Sequence, residues 1–218
     1  MTDNRWTLDP AIDAFLATMQ MPPADYMQKL AAERAVIEAA APNIADSAPE
    51  FRAERLSEDG SRTGEYISLS DFAGHKLALL FGSYTCPVYR GQIERFNQIY
   101  DELHEQFKFL TVYTREAHPE DGWQVEINHD QDIVYMQPKT IDERADIAGA
   151  CLRRHGIRMP MALDDMADSI NKAYSGSPER LYLIDESGIV RHRSGLGPFA
   201  MQVIEDWYDV LKNSSQTK

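Results

Sequence analysis

The chain of 218 residues contains only two cysteines, Cys86 and Cys151. Two cysteines are too few for a disulfide framework, and their separation is not the spacing of a zinc site. Proteins of oxidising compartments rely on disulfides far more than proteins of the reducing cytosol do. The sequence therefore predicts a cytoplasmic location, no structural disulfide and no metal site.

Long hydrophobic runs and an excess of positive charge are also missing. No window reaches the roughly 18 apolar residues of a membrane-spanning helix, and the start MTDNRWTLDP has neither the basic nor the apolar part of a signal peptide. The formal net charge is -13. Because phosphate backbones and anionic membrane surfaces attract basic proteins, we expect neither nucleic acid nor membrane as a partner.

The first 48 residues differ in composition from the rest. Residues 11–15 and 26–41 have helical periodicity and a high alanine content, with Pro22 and Pro23 between them. We interpret residues 1–48 as an N-terminal helical extension, which packs on the main domain or against the partner in a homodimer. Residues 49–218 then form the main domain.

The main domain alternates buried strands with amphipathic helices. After two short strands, the patterns predict strands at 76–83, 107–114, 159–163, 180–184 and 189–193, and helices at 87–106, 140–154, 165–174 and 201–212. The order β-α-β, then α, then β-β-α is the thioredoxin-like arrangement. We therefore predict an α/β fold of three layers, in which helices cover both faces of a central mixed sheet.

The segment FGSYTCPVYR places Cys86 between a buried strand and a helix that begins at Pro87. The amide groups and dipole of a helix start can lower a thiol pKa from about 8.5 towards neutrality. We interpret Cys86 as a nucleophile rather than as a small buried hydrophobe. Residue 89 is Tyr, so the redox partner is Cys151 or an external thiol. Cys151 itself lies in an apolar helical sequence, which favours core packing.

The loop YTREAHPEDGW follows the next buried strand and opens at the same edge of the predicted sheet. Histidine is the side chain best suited to proton transfer near neutral pH, and Glu116 is placed to orient His118. A histidine before a proline is also typical of a plain turn, so the motif alone leaves both interpretations open.

Four segments in this order, FGSYTCP, YTREAHPEDGW, PERLYLID and GLGPF, together resemble the iodothyronine deiodinase family. The resemblance covers residues 65–212 and implies a thioredoxin-like fold with Cys86 at the position of the family's catalytic selenocysteine. It implies a proton relay and a set of substrate-binding residues. The relay would contain Ser83, Tyr113, Glu116 and His118; Thr85, Pro87, Pro160 and Arg180 would bind substrate, with Pro160 as the cis-proline that faces the nucleophile.

Three departures from the family pattern bear on the substrate. Cysteine replaces selenocysteine and is the weaker nucleophile. Pro138 stands where the family has a substrate-contacting histidine, and His129 is the nearby candidate to replace it. The membrane-spanning segment of the animal enzymes is missing. Thyroid hormone is therefore not the expected natural substrate.

The sequence thus predicts a soluble, thiol-dependent oxidoreductase that acts on a small molecule and binds no cofactor. Cys86 would attack an iodinated aromatic compound or a related soft electrophile, His118 would supply a proton, and an external thiol such as thioredoxin or glutathione would regenerate Cys86. One alternative is a peroxiredoxin-like hydroperoxide reductase, for which Ser83 fits and Leu79, in place of a proline, does not. The other is a non-catalytic binding protein with the same fold.

Overall fold

The computed structural model describes residues 24–215, which form a seven-stranded mixed sheet covered by helices. The helices are α1 (Ala24–Ala40), α2 (Pro87–Leu103), α3 (Glu126–Asp130), α4 (Ile141–His155), α5 (Ser169–Tyr174) and α6 (Met201–Ser215). The strands are β1 (Arg52–Leu56), β2 (Arg62–Ser68), β3 (Leu77–Gly82), β4 (Lys108–Tyr113), β5 (Met161–Leu163), β6 (Arg180–Ile184) and β7 (Val190–Arg193). The predicted helix at 11–15 lies outside the described residues.

The strand order is β2-β1-β5-β4-β3-β6-β7. Strands β3, β4 and β5 are parallel, so their carboxyl ends meet at one edge of the sheet, here called the carboxyl edge. Strand β6 runs antiparallel to β3, with Arg180 opposite Phe81. The amino end of β6 therefore also lies at the carboxyl edge, next to the end of β3.

Two hydrophobic clusters cover the two faces of the sheet. Every residue of β3 is buried, as its apolar sequence LALLFG predicts. Ala78 and Leu80 pack with α2, α4 and α6 on one face, whereas Leu79 and Phe81 pack with α5 on the other. This alternation is the two-residue period of a strand, and it confirms the predicted three-layer thioredoxin-like fold.

Two local predictions differ from the structure. The helix predicted at 165–174 begins only at Ser169, because the carboxylate of Asp165 accepts the amide hydrogens of Ala167 and Ser169 and forms a turn first. The short helix α3 was not predicted at all. Its five residues are too few to show a helical period.

The prediction that Pro160 forms the cis peptide facing Cys86 is wrong. The cis bonds among the described residues precede Pro178 and Pro198. Pro160 is exposed at the amino end of β5, at the edge of the sheet opposite to the carboxyl edge. Pro178 lies just before β6, which pairs with β3, so strand order places Pro178 near Cys86 instead.

Helix α1 packs against α5 and against the β6–β7 hairpin. The carboxylate of Glu38 forms ion pairs with both Arg180 and Arg193, and the amide of Ala45 donates to the carbonyl of Val190. Within residues 24–215, no helix combines the length and the apolar composition that crossing a membrane requires.

Gly82 offers a test of the packing of α2 on β3. A Cβ at this position would lie 2.5 Å from the ring of the buried Tyr89, so we expect Gly82→Ala to lower the free energy of unfolding by about 1–3 kcal/mol. The control is Gly91→Ala in the exposed part of α2, where a Cβ meets nothing within 4 Å; it should raise stability by up to about 1 kcal/mol. Urea unfolding followed by circular dichroism measures both, and equal midpoints would contradict the packing.

Candidate active site

Cys86 occupies the turn between β3 and α2. Its amide donates to the carbonyl of Ser83 at 3.2 Å, its backbone is extended, and Pro87 supplies the first helical residue. A proline is favoured there because the first amide of a helix has no intrahelical acceptor. The side chain of Cys86 is only 2% exposed, so the helix start presents the thiol to the interior rather than to solvent.

The thiol of Cys86 contacts Glu179, a residue that the sequence analysis did not single out. Sγ lies 3.6 Å from Oε1. Glu179 is fully buried just before β6, and its Oε2 has no hydrogen-bond partner among the described residues. The segment PERLYLID contains this glutamate, but no local pattern shows that it faces Cys86, because the contact depends on the pairing of β6 with β3.

Burial changes the titration of both groups. It raises the pKa of the Cys86 thiol well above its usual value, and the charge of Glu179 adds to the rise, whereas the amides of Tyr89 and Val88 and the guanidinium of Arg90 oppose it. The expected lowering of this pKa by the helix start is therefore wrong for the buried thiol. Burial also raises the pKa of Glu179 to about 8. Glu179 is thus the member of the pair that ionises first as the pH rises.

Glu116 ties the loop after β4 to the turn that carries Cys86. Its Oε2 accepts the amide (2.9 Å) and the hydroxyl (2.7 Å) of Thr85. Its Oε1 accepts the hydroxyl of Tyr113 at 2.5 Å, and that hydroxyl in turn accepts the amide of Tyr84 at 3.0 Å. Burial raises the pKa of Glu116, and these hydrogen bonds oppose the rise. Three donors fix this carboxylate in one position.

His118 is held in one orientation by Trp123 and not by Glu116. Its Nδ1 lies 3.0 Å from the carbonyl oxygen of Trp123, and because a carbonyl only accepts, Nδ1 carries the hydrogen. The indole packs edge-on against the imidazole, with 4.9 Å between ring centroids. Burial lowers the pKa of His118 to about 4. The ring is therefore neutral at pH 7, and Nε2 is left for proton exchange.

The remaining predicted residues fall into two groups. Ser83 and Thr85 are fully buried beside Cys86; the Ser83 hydroxyl accepts the amide of Ala117 at 3.2 Å, and the Thr85 hydroxyl accepts the amide of His118 at 3.0 Å. Arg180 lies on the sheet face of α5, and each of its three nitrogens has a partner, at Ser175, Ser194 and Glu38. Substrate could reach Arg180 only if Glu38 were displaced.

A cavity of about 320 Å³ lies between α1 and the loop that carries His118. Its walls include Arg34 and Ile37 of α1, Arg115, Ala117 and Trp123 of the loop, and Ser177. Ser177 precedes Glu179 by two residues in the chain, and Ala117 and Pro119 of the lining flank His118, although Cys86, His118 and Glu179 themselves do not line the cavity. Pockets of roughly 300 Å³ and above are of the size that holds small ligands.

Neither Cys151 nor His129 takes part in the hydrogen bonds described above. Cys151 is a fully buried free thiol in α4, and burial raises its pKa. The ring of His129 bonds to the exposed side chain of Gln124 at 2.7 Å. Within residues 24–215, no group of three or more His, Cys, Asp or Glu side chains is placed to hold a metal ion.

A solved structure shows the same fold. It is the thioredoxin domain of a thiol-disulfide oxidoreductase from Bacteroides vulgatus, with a TM-score of 0.56 at 15% identity, and the match covers 81% of this chain and 100% of that one. At this identity the match shows the fold alone.

Curated relatives share more of the sequence. The thyroxine 5-deiodinase of Rattus norvegicus is 30% identical over 160 residues, which are 73% of this chain and 51% of the relative. That of Gallus gallus is 33% identical over 156 residues, which are 69% and 58%. The chain thus spans about half the length of the curated relatives it matches. The model of the family named iodothyronine deiodinase matches residues 27–213, a range that contains the Cys86 turn, the His118 loop and most of α1, and the chain therefore belongs to the iodothyronine deiodinase family.

Proposed function

We propose that the protein is a thiol-dependent oxidoreductase that removes iodine from an aromatic substrate, with Cys86 as the nucleophile. The contact of 3.6 Å between Cys86 Sγ and Glu179 Oε1 is the observation that carries this proposal. A buried thiol is a poor nucleophile until it loses its proton. Glu179 is a base in direct contact with it, and its pKa of about 8 is suited to general-base work near neutral pH.

The first step moves a proton and forms one new bond. The S–H bond of Cys86 breaks and its proton passes to the carboxylate of Glu179. The thiolate then attacks the iodine of the substrate, so that an S–I bond forms while the C–I bond breaks. The electron pair of the C–I bond stays on the aromatic carbon, which must take up a proton.

His118 is the proposed carrier of that proton. Its Nδ1–H is committed to Trp123, so proton exchange occurs at Nε2. Because the ring is neutral at pH 7, Nε2 first takes up the proton that Glu179 received from Cys86, which returns Glu179 to its carboxylate form. His118 then passes this proton to the carbon as negative charge develops there. The proton lost by the thiol and the proton gained by the carbon balance, and the enzyme is left with Cys86 as a sulfenyl iodide.

An external thiol completes the cycle, with thioredoxin or glutathione as the expected class. One thiol displaces iodide from Cys86 and forms a mixed disulfide; a second thiol releases Cys86 by exchange. The sum is one aryl iodide and two thiols converted to arene, hydrogen iodide and disulfide, which needs no bound cofactor. The cytoplasmic location and the homodimer belong to the same proposal.

The cavity beside the loop that carries His118 is the proposed substrate site. Ile37, Ala117 and Trp123 offer apolar contacts to an aromatic ring. Charged residues of both signs also line the wall: Arg34, Arg115, Glu33, Glu116 and Asp121. Helix α1 therefore supplies one side of the site. Closure of the cavity over a substrate would exclude water from the thiolate, which strengthens every charge interaction around it.

The two alternatives make different demands on Cys86. A hydroperoxide reductase needs a ready thiolate, which the raised pKa of Cys86 disfavours. A non-catalytic binding protein would also show a raised thiol pKa, and that single observation favours it. The buried carboxylate of Glu179 favours the proposed enzyme over the non-catalytic protein, since a merely structural thiol needs no base beside it.

Substitution of Cys86 and His118 tests the assignment. With an iodinated phenol and excess dithiothreitol, we expect Cys86→Ser to lower the rate of iodide release on the order of a thousandfold or more, and His118→Ala to lower it about a hundredfold. Cys151→Ala is the matched control and should keep the rate within about threefold. Iodide is measured in the supernatant after protein removal. Unchanged rates for both Cys86→Ser and His118→Ala would refute the dehalogenase proposal.

The pH dependence of the rate tests Glu179. The ionised carboxylate is the base, so kcat/KM of the wild-type protein should rise with pH and level off above about 8. We expect Glu179→Gln to lower kcat/KM about a hundredfold and to abolish this rise, because an amide cannot accept the proton.

The stability of the same variant supplies an independent check. The folded state holds the Glu179 proton up to a pH of about 8, whereas an unfolded glutamate releases it near its usual value of about 4.3. The wild-type protein therefore loses stability as the pH rises through this window, and Glu179→Gln should lose less between pH 5 and pH 9. The free energy of unfolding is measured with urea at each pH. An equal change for both proteins across this range would show that Glu179 does not titrate as described.

A further inference from the structure

Arg90 is a buried cation on the first turns of α2. It follows Cys86 by four residues, its amide donates to the Cys86 carbonyl at 3.1 Å, and its side chain is 6% exposed. Residues four apart on a helix have neighbouring side chains. The guanidinium is therefore placed at the same end of α2 as the thiol.

The hydrogen-bond partners of Arg90 are all neutral. Nη1 donates to the carbonyl of Tyr84 at 2.5 Å, and Nη2 donates to Asn128 at 2.7 Å and to Gln131 at 2.8 Å. Nε is buried without a partner among the described residues. An arginine keeps its charge in proteins, so this site holds a positive charge that no hydrogen-bonded carboxylate balances.

The other fully buried arginines show the contrast. Arg144 is paired with Asp168, and Arg180 is paired with Glu38. In the described part of the chain, no ion pair joins Arg90 to an Asp or Glu within 4.0 Å. Because burying a charge without a counter-ion is strongly unfavourable, a negative charge on a neighbouring ionisable group would stabilise Arg90.

We propose that Arg90 is the counter-ion of the Cys86 thiolate and acts as a positioning residue for the negative charge. With Glu179 ionised, the three groups Cys86, Glu179 and Arg90 together carry one negative and one positive charge. When the thiol proton passes to Glu179, the negative charge moves from the carboxylate to sulfur, and the total stays at zero. The proton transfer then requires no change in the net charge of the interior, which is where a change would be most unfavourable.

The influence of Arg90 on the pKa of Cys86 and that of Cys86 on the pKa of Arg90 both support this pairing. Arg90 lowers the pKa of Cys86, and the Cys86 charge is the foremost influence that raises the pKa of Arg90 against burial. Cys151 of α4 also interacts with Arg90, but among the described residues no carboxylate accepts a hydrogen bond from its thiol. This inference rests on the proposed role of Cys86 as nucleophile, and it adds a residue that determines how readily the nucleophile forms.

The test measures the reactivity of Cys86 in the full chain without substrate. The protein is alkylated with iodoacetamide between pH 6 and pH 11, and the adduct on the Cys86 peptide is quantified by mass spectrometry. We expect Arg90→Met to raise the midpoint of the pH profile by at least about one unit, which is the usual effect of removing a nearby opposite charge. Arg90→Lys should restore at least half of this shift.

Asn128→Ala is the matched control for a merely structural effect. Asn128 bonds to Arg90 and also donates to the carbonyl of Thr85 at 2.9 Å, so its removal loosens the same turn but keeps the cation. We expect its midpoint to stay within about 0.3 units of the wild-type value. A similar shift in Asn128→Ala and Arg90→Met, or an unshifted Arg90→Met, would overturn the proposal.

Folding and function are kept separate in this design. If Arg90→Met does not fold, Arg90→Gln removes the charge and keeps a hydrogen-bonding side chain, and the same comparison decides. Because alkylation needs no turnover, a positive result stands even if the protein does not dehalogenate aromatic compounds. Loss of iodide release in Arg90→Met with an unshifted alkylation profile would mean that Arg90 acts elsewhere.

Discussion

The contact between a buried thiol and a buried carboxyl group is the interaction on which the rest of this site depends. Cys86 and Glu179 are both buried, and burial raises the pKa of each. The charge of Glu179 adds to the rise for Cys86, whereas the hydrogen bond from the thiol lowers the pKa of Glu179. In water such a pair would be two independent groups. In the interior, a proton that leaves sulfur has one acceptor in contact, so the reactivity of Cys86 is controlled by a residue that lies far along the chain.

The carboxylates near the site have different roles because they have different partners. Glu116 accepts three hydrogen bonds and joins two loops, while Glu38 is held by two arginines and fastens α1. Glu179 has one weak donor and one oxygen without a partner. A carboxylate held by several donors is a structural connection, whereas Glu179 keeps an oxygen that is free to take up a proton.

The residues that the deiodinase resemblance singled out lie in two different surroundings in the structure. Ser83, Thr85, Tyr113 and His118 lie around the Cys86 turn, joined by hydrogen bonds between two loops. Arg180 lies on the sheet face that α5 covers, because side chains alternate along β6. Its guanidinium forms an ion pair with Glu38 of α1. Helix α1, which precedes the main domain, therefore lines the cavity and holds Arg180. Its alanine-rich sequence does not indicate this.

The sequence by itself determined the fold class, the strands β3 and β4 to within one residue, and the turn that presents Cys86, because continuous apolar runs, proline and glycine act locally. It also identified the His118 loop. Only the tertiary structure decided that Glu179 faces Cys86, that Pro178 rather than Pro160 lies near it, and that the thiol pKa is raised rather than lowered. These features follow from the antiparallel return of β6 beside β3 and from burial, and both come from residues far apart in the chain.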